Sequence, residues 1–263
     1  MKIEVQGSGP AVLLPVNPVP VEGEKAEGMR AWGVDPALGR TLVDALAADF
    51  TVVAFDYEGH VMAHPKPGTL TPDTIAADLL EVADRAGVGR FAYYGYSWLA
   101  LSGLQLALRT DRLWGLVMGG FPPVGGPYAE MLTVTRATHD LVGKPADPGG
   151  DVWDSAEVTL SHDQTRQFVT LYEALDGFDD RAAQPRLTCP RLCFAGTADE
   201  IVYGERWGSV TVRIGGPVAE NRQELERLGW DVQLLDGLDH TQAMQPQNVL
   251  PVLRPWLLGQ SGG

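Results

Sequence analysis

Ser97 stands in Gly95-Tyr96-Ser97-Trp98-Leu99, between an apolar run and a helical pattern. A serine hydroxyl is a weak nucleophile unless an imidazole takes its proton and a carboxylate orients that imidazole. The chain offers both further on. Asp199 follows Gly196-Thr197-Ala198 at the end of a second apolar run, and His240 follows the last such run. A tight strand–turn–helix at Ser97 would strain the backbone and lift the hydroxyl clear of a sheet. The helix N-terminus would add partial positive charge where an oxyanion develops. The competing reading of Ser97 is a plain helix cap, a common role for serine. Asp236, Asp239 and Glu200 compete with Asp199 for the acid role. The two aspartates crowd His240 in sequence, and a carboxylate from a separate loop reaches an imidazole more readily, so Asp199 is preferred. His60, His64, His139 and His162 do not follow a strand end as His240 does.

These residues need a scaffold that brings strand ends together. Apolar runs at 11–16, 51–56, 90–95, 114–119, 191–195 and 231–235 end in turn residues, as buried strands do. Continuous rather than alternating apolarity suits a parallel sheet covered on both faces. Helical patterns lie at 36–48, 71–86, 98–108, 217–228 and 248–257. The second opens with Thr71-Pro72-Asp73, a cap followed by proline in the first turn. The alternation predicts an α/β fold with a mostly parallel central sheet and helices on both faces.

One stretch breaks the rhythm. Residues 122–187 hold a Pro/Gly-rich entry, helical windows near 128–142, 156–175 and 178–183, and a Gly/Pro linker at 144–151. They predict a helical insertion between two strands. A segment at 203–216 carries Val/Thr alternation that suits one short extra strand.

Composition narrows the partners. The 263 residues are 44% hydrophobic and 21% charged, enough for a sizeable core. A net charge of −14 argues against nucleic acid and anionic membrane surfaces, which need Lys and Arg. No window approaches the ~20 apolar residues of a membrane span. The start, MKIEVQGSGP, lacks the apolar stretch of a secretory signal, so a cytoplasmic protein is expected. Cys189 and Cys193 lie four apart in a strand-like run. That places their Cα atoms roughly 13 Å apart, beyond disulfide reach, on one face of a buried strand. No spacing suits a metal site, and the glycines at 7–9 and 215–216 are turns rather than a phosphate-binding fingerprint, so no cofactor is expected.

Together the motifs resemble the α/β-hydrolase superfamily over nearly the whole chain. Asp56-Tyr57-Glu58-Gly59-His60 is similar to the family's D-x-x-G-x-G loop, 94–103 to its nucleophile elbow, GTADEIV to its acid loop and GLDHTQAMQPQNV to its histidine loop. The resemblance implies a core of 1–121 and 188–263 and a helical cap at 122–187. It implies Ser97, Asp199 and His240 as the triad, and backbone N–H groups of Trp98 and Asn17 as the oxyanion hole. Two departures stand out. Leu99 occupies a position where the family has a small residue, and Pro15-Val16-Asn17-Pro18 replaces the frequent His-Gly-x-Pro. The implied activity is hydrolysis of a carboxylic ester or lactone of a small apolar molecule, with Tyr128, Met131 and Phe168 of the cap as lining residues. The same machinery can cleave C–C bonds or amides or make peracids. A non-catalytic small-ligand binder is the third alternative. The oligomeric state has no signature.

Overall fold

The computed structural model describes residues 1–146 and 158–261. The described residues form nine strands: β1 (Glu4–Gln6), β2 (Ala11–Leu14), β3 (Thr51–Ala54), β4 (Phe91–Tyr96), β5 (Leu113–Gly119), β6 (Arg191–Gly196), β7 (Glu200–Val202), β8 (Thr211–Arg213) and β9 (Trp230–Leu235). Seven of them make one sheet in the order β1-β3-β2-β4-β5-β6-β9. Every neighbouring pair is parallel except β1 with β3. β1 has too few residues and too polar a pattern to show in sequence. β2 stops short of the expected 11–16 because Pro15 cannot donate to the ladder.

Side chains alternate across the sheet and meet apolar cover on both sides. Leu13, Val53, Tyr93 and Leu116 join one core, with Ile75, Leu79, Leu101 and Leu104 from helices Pro72–Arg85 and Trp98–Ala107. Val12, Leu14, Val52 and Tyr94 join the other, with Leu42, Leu46, Val249 and Leu253 from helices Leu38–Leu46 and Pro246–Gln260. Helix Pro72–Arg85 is closed at its start by a capping box of Thr71 and Thr74. Helix Trp98–Ala107 is buried from Leu99 onward. It approaches the sheet closely because Gly103 lies over the Tyr93 ring, where a Cβ would come within 2.5 Å of a ring carbon.

Between β5 and β6 the chain leaves the sheet and forms helices Tyr128–Leu141, His162–Ala174 and Asp180–Ala183. The first two pack on each other. The second is fastened to the body through Gln167, which is fully buried. Its Oε1 accepts from Lys66 N at 3.1 Å and its Nε2 donates to Val61 O at 3.1 Å. Most of the expected linker at 144–151, and the start of the second helical window, lie outside the described residues.

Several expectations need correction. The pattern at 217–228 is two helices, Gly215–Glu220 and Arg222–Arg227, which meet at Asn221, where the backbone departs from helical angles to φ −94°, ψ 8°. Residues after Asp56 form a helix, Tyr57–Ala63, capped by the Asp56 carboxylate, rather than a loop. Helix Gly23–Ala31, with low apolarity and one buried residue, Ala26, was not expected. The extra strand at 203–216 is β8, and it pairs antiparallel with β7. Cys189 precedes β6 instead of lying in it, with Pro190 between it and the strand; both thiols are buried and unpaired. Among the described residues, no helix is long and apolar enough to cross a membrane.

Gly103→Val should therefore overpack the helix–sheet contact and cost about 2–3 kcal/mol in urea unfolding. Gly89→Ala, where nothing lies within 4 Å, should stay within about 0.5 kcal/mol of the parent.

Candidate active site

β4 ends at Tyr96 and the next helix begins at Trp98, which leaves a single residue to reverse the chain. Ser97 does so at φ 58°, ψ −130°. Only Ser209 shares a positive φ among the described non-glycine residues. The position is held from both sides. Ser97 N donates to Gly119 O at 2.8 Å, and Ser97 O accepts from Ala100 N at 2.8 Å. Gly95 makes the tight crossing possible, since a Cβ there would lie 2.3 Å from Leu99 O. Leu99 itself is buried in the core, so its bulk does not obstruct the turn. The Ser97 side chain makes no capping bond to its helix. The plain-cap reading of this serine is thereby set aside.

Asp199 and His240 meet across two loops. His240 Nδ1 lies 2.9 Å from Asp199 Oδ2 and 3.1 Å from Oδ1. The Asp199 side chain is fully buried and that of His240 is 21% exposed. A buried carboxylate at this distance selects the tautomer that carries its proton on Nδ1 and leaves Nε2 free to accept. The two loops are stitched together. Thr197 N donates to Leu235 O at 2.9 Å, Ala198 N to Leu238 O at 3.1 Å and Gly237 N to Thr197 Oγ1 at 2.8 Å. Gly196 is required there, because a Cβ would fall 2.0 Å from Leu238 O. The β8 end closes the acid loop, with Ile214 N and Gly215 N donating to Asp199 O at 3.1 and 2.9 Å.

The rival carboxylates are engaged elsewhere. Asp239 caps helix His240–Ala243 through Gln242 N at 2.8 Å. Asp236 accepts from Thr197 Oγ1 at 3.4 Å, and Glu200 pairs with Arg213 at 3.6 Å.

Two cavities meet at this point. One, of about 210 Å³, is lined by Ser97, Trp98 and His240 together with Met131, Phe168 and Tyr172 of the helical insertion. The hydroxyls of Thr135, Thr138 and Thr165 on its wall are used up on backbone carbonyls, which leaves an apolar interior. Tyr128 does not line it. Its ring packs against Phe121 and Phe178 with centroids 5.8 and 5.7 Å away, and supports the wall from behind. The second cavity is a larger cleft of about 680 Å³ between the elbow and helix Gly23–Ala31. Ser97, Trp98 and His240 also line it, with Asn17 and Glu58. Trp98 stands between the two, its ring edge-on to Phe168 at 5.4 Å and its indole N–H donating to Glu58 at 3.4 Å.

Val16, Asn17 and Trp98 all line the cleft. Val16 N is spent on Leu14 O at 2.8 Å. Among the described residues, neither Asn17 N nor Trp98 N has a protein acceptor. Asn17 also makes the turn, its Oδ1 accepting from Val19 N at 3.0 Å. Ser97 Oγ and His240 share no hydrogen bond among the described residues. Such bonds commonly tighten only with substrate in place.

Tyr96 was missed in the sequence. Its hydroxyl donates to His240 O at 2.8 Å, and its ring lies 5.0 Å from the imidazole. Burial first, then the Asp199 charge, pushes that hydroxyl well above its ordinary pKa, so it remains a donor. Its only sequence signal is adjacency to Ser97.

The chain resembles known proteins in both sequence and shape. No protein-family model matches it. It is 28% identical over 187 residues to the putative carbamate hydrolase RutD of Stutzerimonas stutzeri, covering 62% of this chain and 69% of that one. A likeness to RutD of Rhizobium rhizogenes, 37% identical, spans only 28% of either chain. In shape it matches a carboxylesterase structure from Nitrososphaera gargenis, with a TM-score of 0.61 at 14% identity over 99% of this chain and 95% of that one. The chain has the α/β-hydrolase fold. The enol-lactonase of Burkholderia xenovorans shares this fold, with a TM-score of 0.58 at 19% identity over 100% and 96% of the two chains. The α/β-hydrolase sheet places the elbow, acid and histidine loops at the C-terminal ends of β4, β6 and β9.

The strain at Ser97 has a measurable consequence. Ser97→Gly should be about 1 kcal/mol more stable than Ser97→Ala in thermal unfolding, because only glycine relieves the positive φ. Equal stabilities would mean that the backbone is not held at that angle.

Proposed function

We propose that this chain is a serine hydrolase that cleaves a carboxylic ester or lactone of a small, apolar molecule through an acyl-enzyme on Ser97. The observation that carries the proposal is one constellation: an uncapped serine on a strained turn shares an apolar cavity with a histidine whose Nδ1 is bound by a buried carboxylate.

The chemistry follows from the geometry. Ser97 Oγ attacks the acyl carbon as its proton passes to His240 Nε2. Asp199 stabilises the imidazolium through Nδ1 and keeps it oriented. The carbonyl oxygen becomes an oxyanion, which the N–H groups of Trp98 and Asn17 hold; such donors contribute about 3 kcal/mol each. The acyl–oxygen bond then breaks, and His240 returns its proton to the leaving alcohol. Water repeats the sequence on the acyl-enzyme, with His240 as base, and frees the acid and Ser97. The helical insertion acts as a cap. Met131 and Phe168 keep water from the apolar cavity and limit what enters it.

A second reading uses the same steps on a carbamate, where the alcohol leaves and a carbamoyl-enzyme forms, or on an amide, where the leaving group is an amine. The name carried by the Stutzerimonas relative favours it. A panel of p-nitrophenyl esters, lactones and aryl carbamates separates the two readings.

Ser97→Ala should lower kcat on the preferred substrate by about 10⁴-fold or more, and Asp199→Asn by about 10²–10⁴-fold. Near-normal turnover by the first variant would remove Ser97 as nucleophile, and by the second would move the acid role to another carboxylate. Short acyl esters should also exceed dodecanoyl esters by about tenfold in kcat/KM, given the small volume of the apolar cavity. Equal rates would place the acyl group in the larger cleft.

A further inference from the structure

The geometry points to Tyr96 as a positioning residue for His240. The inference rests on the proposed role of His240 as the base, and it assigns Tyr96 a part beyond packing.

Tyr96 immediately precedes Ser97 in the chain, and its hydroxyl donates to the backbone carbonyl of His240 at 2.8 Å. One side chain therefore ties the backbone of the base to the strand end that carries the nucleophile. Among the described residues no other hydrogen bond joins the elbow to the histidine. Asp199 orients the imidazole from Nδ1, but it arrives on a third loop and sets no distance to Ser97. The Tyr96 ring cannot drift. It rests on Gly119 and Gly120, where a Cβ would lie 2.6 and 2.5 Å from ring carbons. Gly120 adopts φ +61°, a conformation that glycine tolerates without strain. Phe194 packs on the ring at 6.1 Å, and the imidazole leans against it at 5.0 Å with a 52° tilt. Side chains at positions 119 and 120 would unseat the ring, so their absence and the Tyr96 hydroxyl form one device.

The device matters because proton transfer from Ser97 needs the base within hydrogen-bond reach at the moment of attack, and small misplacements are costly. The His240 helix is one turn long and is held by the Asp239 capping box and by the side chains of Gln245 and Asn248 on Thr241 O and Gln242 O, but none of these bonds reaches the elbow. The Tyr96 hydroxyl holds it in register. The ring also presents a π-face or edge beside the imidazolium formed during turnover.

Tyr96→Phe keeps the ring and removes the donor. It should lower kcat about three- to tenfold with KM unchanged, the loss expected for one net hydrogen bond expressed at the barrier. Tyr96→Leu, which also empties the seat, should lower kcat further. A second readout needs no turnover. The low-field proton resonance of His240 Nδ1–H should broaden or shift upfield in Tyr96→Phe as the imidazole loses its fixed distance from the elbow. An unchanged kcat with an unchanged low-field resonance in Tyr96→Phe would overturn the assignment, and a raised KM at constant kcat would make Tyr96 a substrate contact instead. If the parent protein turns over no ester, lactone or carbamate, the function reading fails. The resonance then decides the positioning role alone.

Discussion

The reversal of the chain at Ser97 is the constraint around which the remaining structure is organised. A non-glycine residue at φ 58°, ψ −130° costs on the order of 1–3 kcal/mol and persists only where its surroundings over-determine it. Those surroundings are visible. The ladder between β4 and β5 holds Ser97 N, the following helix holds Ser97 O, and glycines at 95 and 103 let helix and sheet approach to contact distance. The first N–H groups of that helix have no intrahelical acceptor, and they belong to the donors proposed for an acyl oxygen. Tyr93 reinforces the crossing by donating to Leu99 O at 2.9 Å.

Around that point the fold divides the space in two. On one side the helical insertion closes an apolar chamber whose threonine hydroxyls are spent on backbone carbonyls. On the other, a wider cleft carries Glu58, Lys25 and unpaired backbone donors. A substrate bonded at Ser97 would extend into both, so the two halves of the molecule meet different chemistry. The chain's net charge of −14 adds a field that disfavours anionic substrates at long range.

Much of this was legible before the fold was known, and the reasons are local. The parallel sheet announced itself because strands buried on both faces must be apolar throughout, as in 91–95 and 114–118. Ser97, Asp199 and His240 were legible because each follows such a run. The structure then joined Asp199 to His240 and gave Asp239 a capping role that sequence could not separate from an acid role. What stayed hidden depends on long-range contacts. β1 is short and polar and gains its place only by pairing with β3. Helix Gly23–Ala31 has no apolar stripe to signal it. Tyr128 is expected to line the site from its place in the cap, yet its ring turns toward Phe121 and Phe178. Tyr96 looked like any strand aromatic until its hydroxyl reached a carbonyl 144 residues away. Spacing reports which residues share an element, and it is silent on what a side chain meets across the fold.

The central claim is that Ser97 is a nucleophile activated by His240. The most direct measurement is reaction of the intact protein with a fluorophosphonate, followed by peptide mass spectrometry. The account predicts one stoichiometric adduct on the peptide that carries Ser97, absent from Ser97→Ala and formed far more slowly in His240→Ala. An adduct on a different residue, one that persists in Ser97→Ala, or a parent protein that takes up no probe would contradict it.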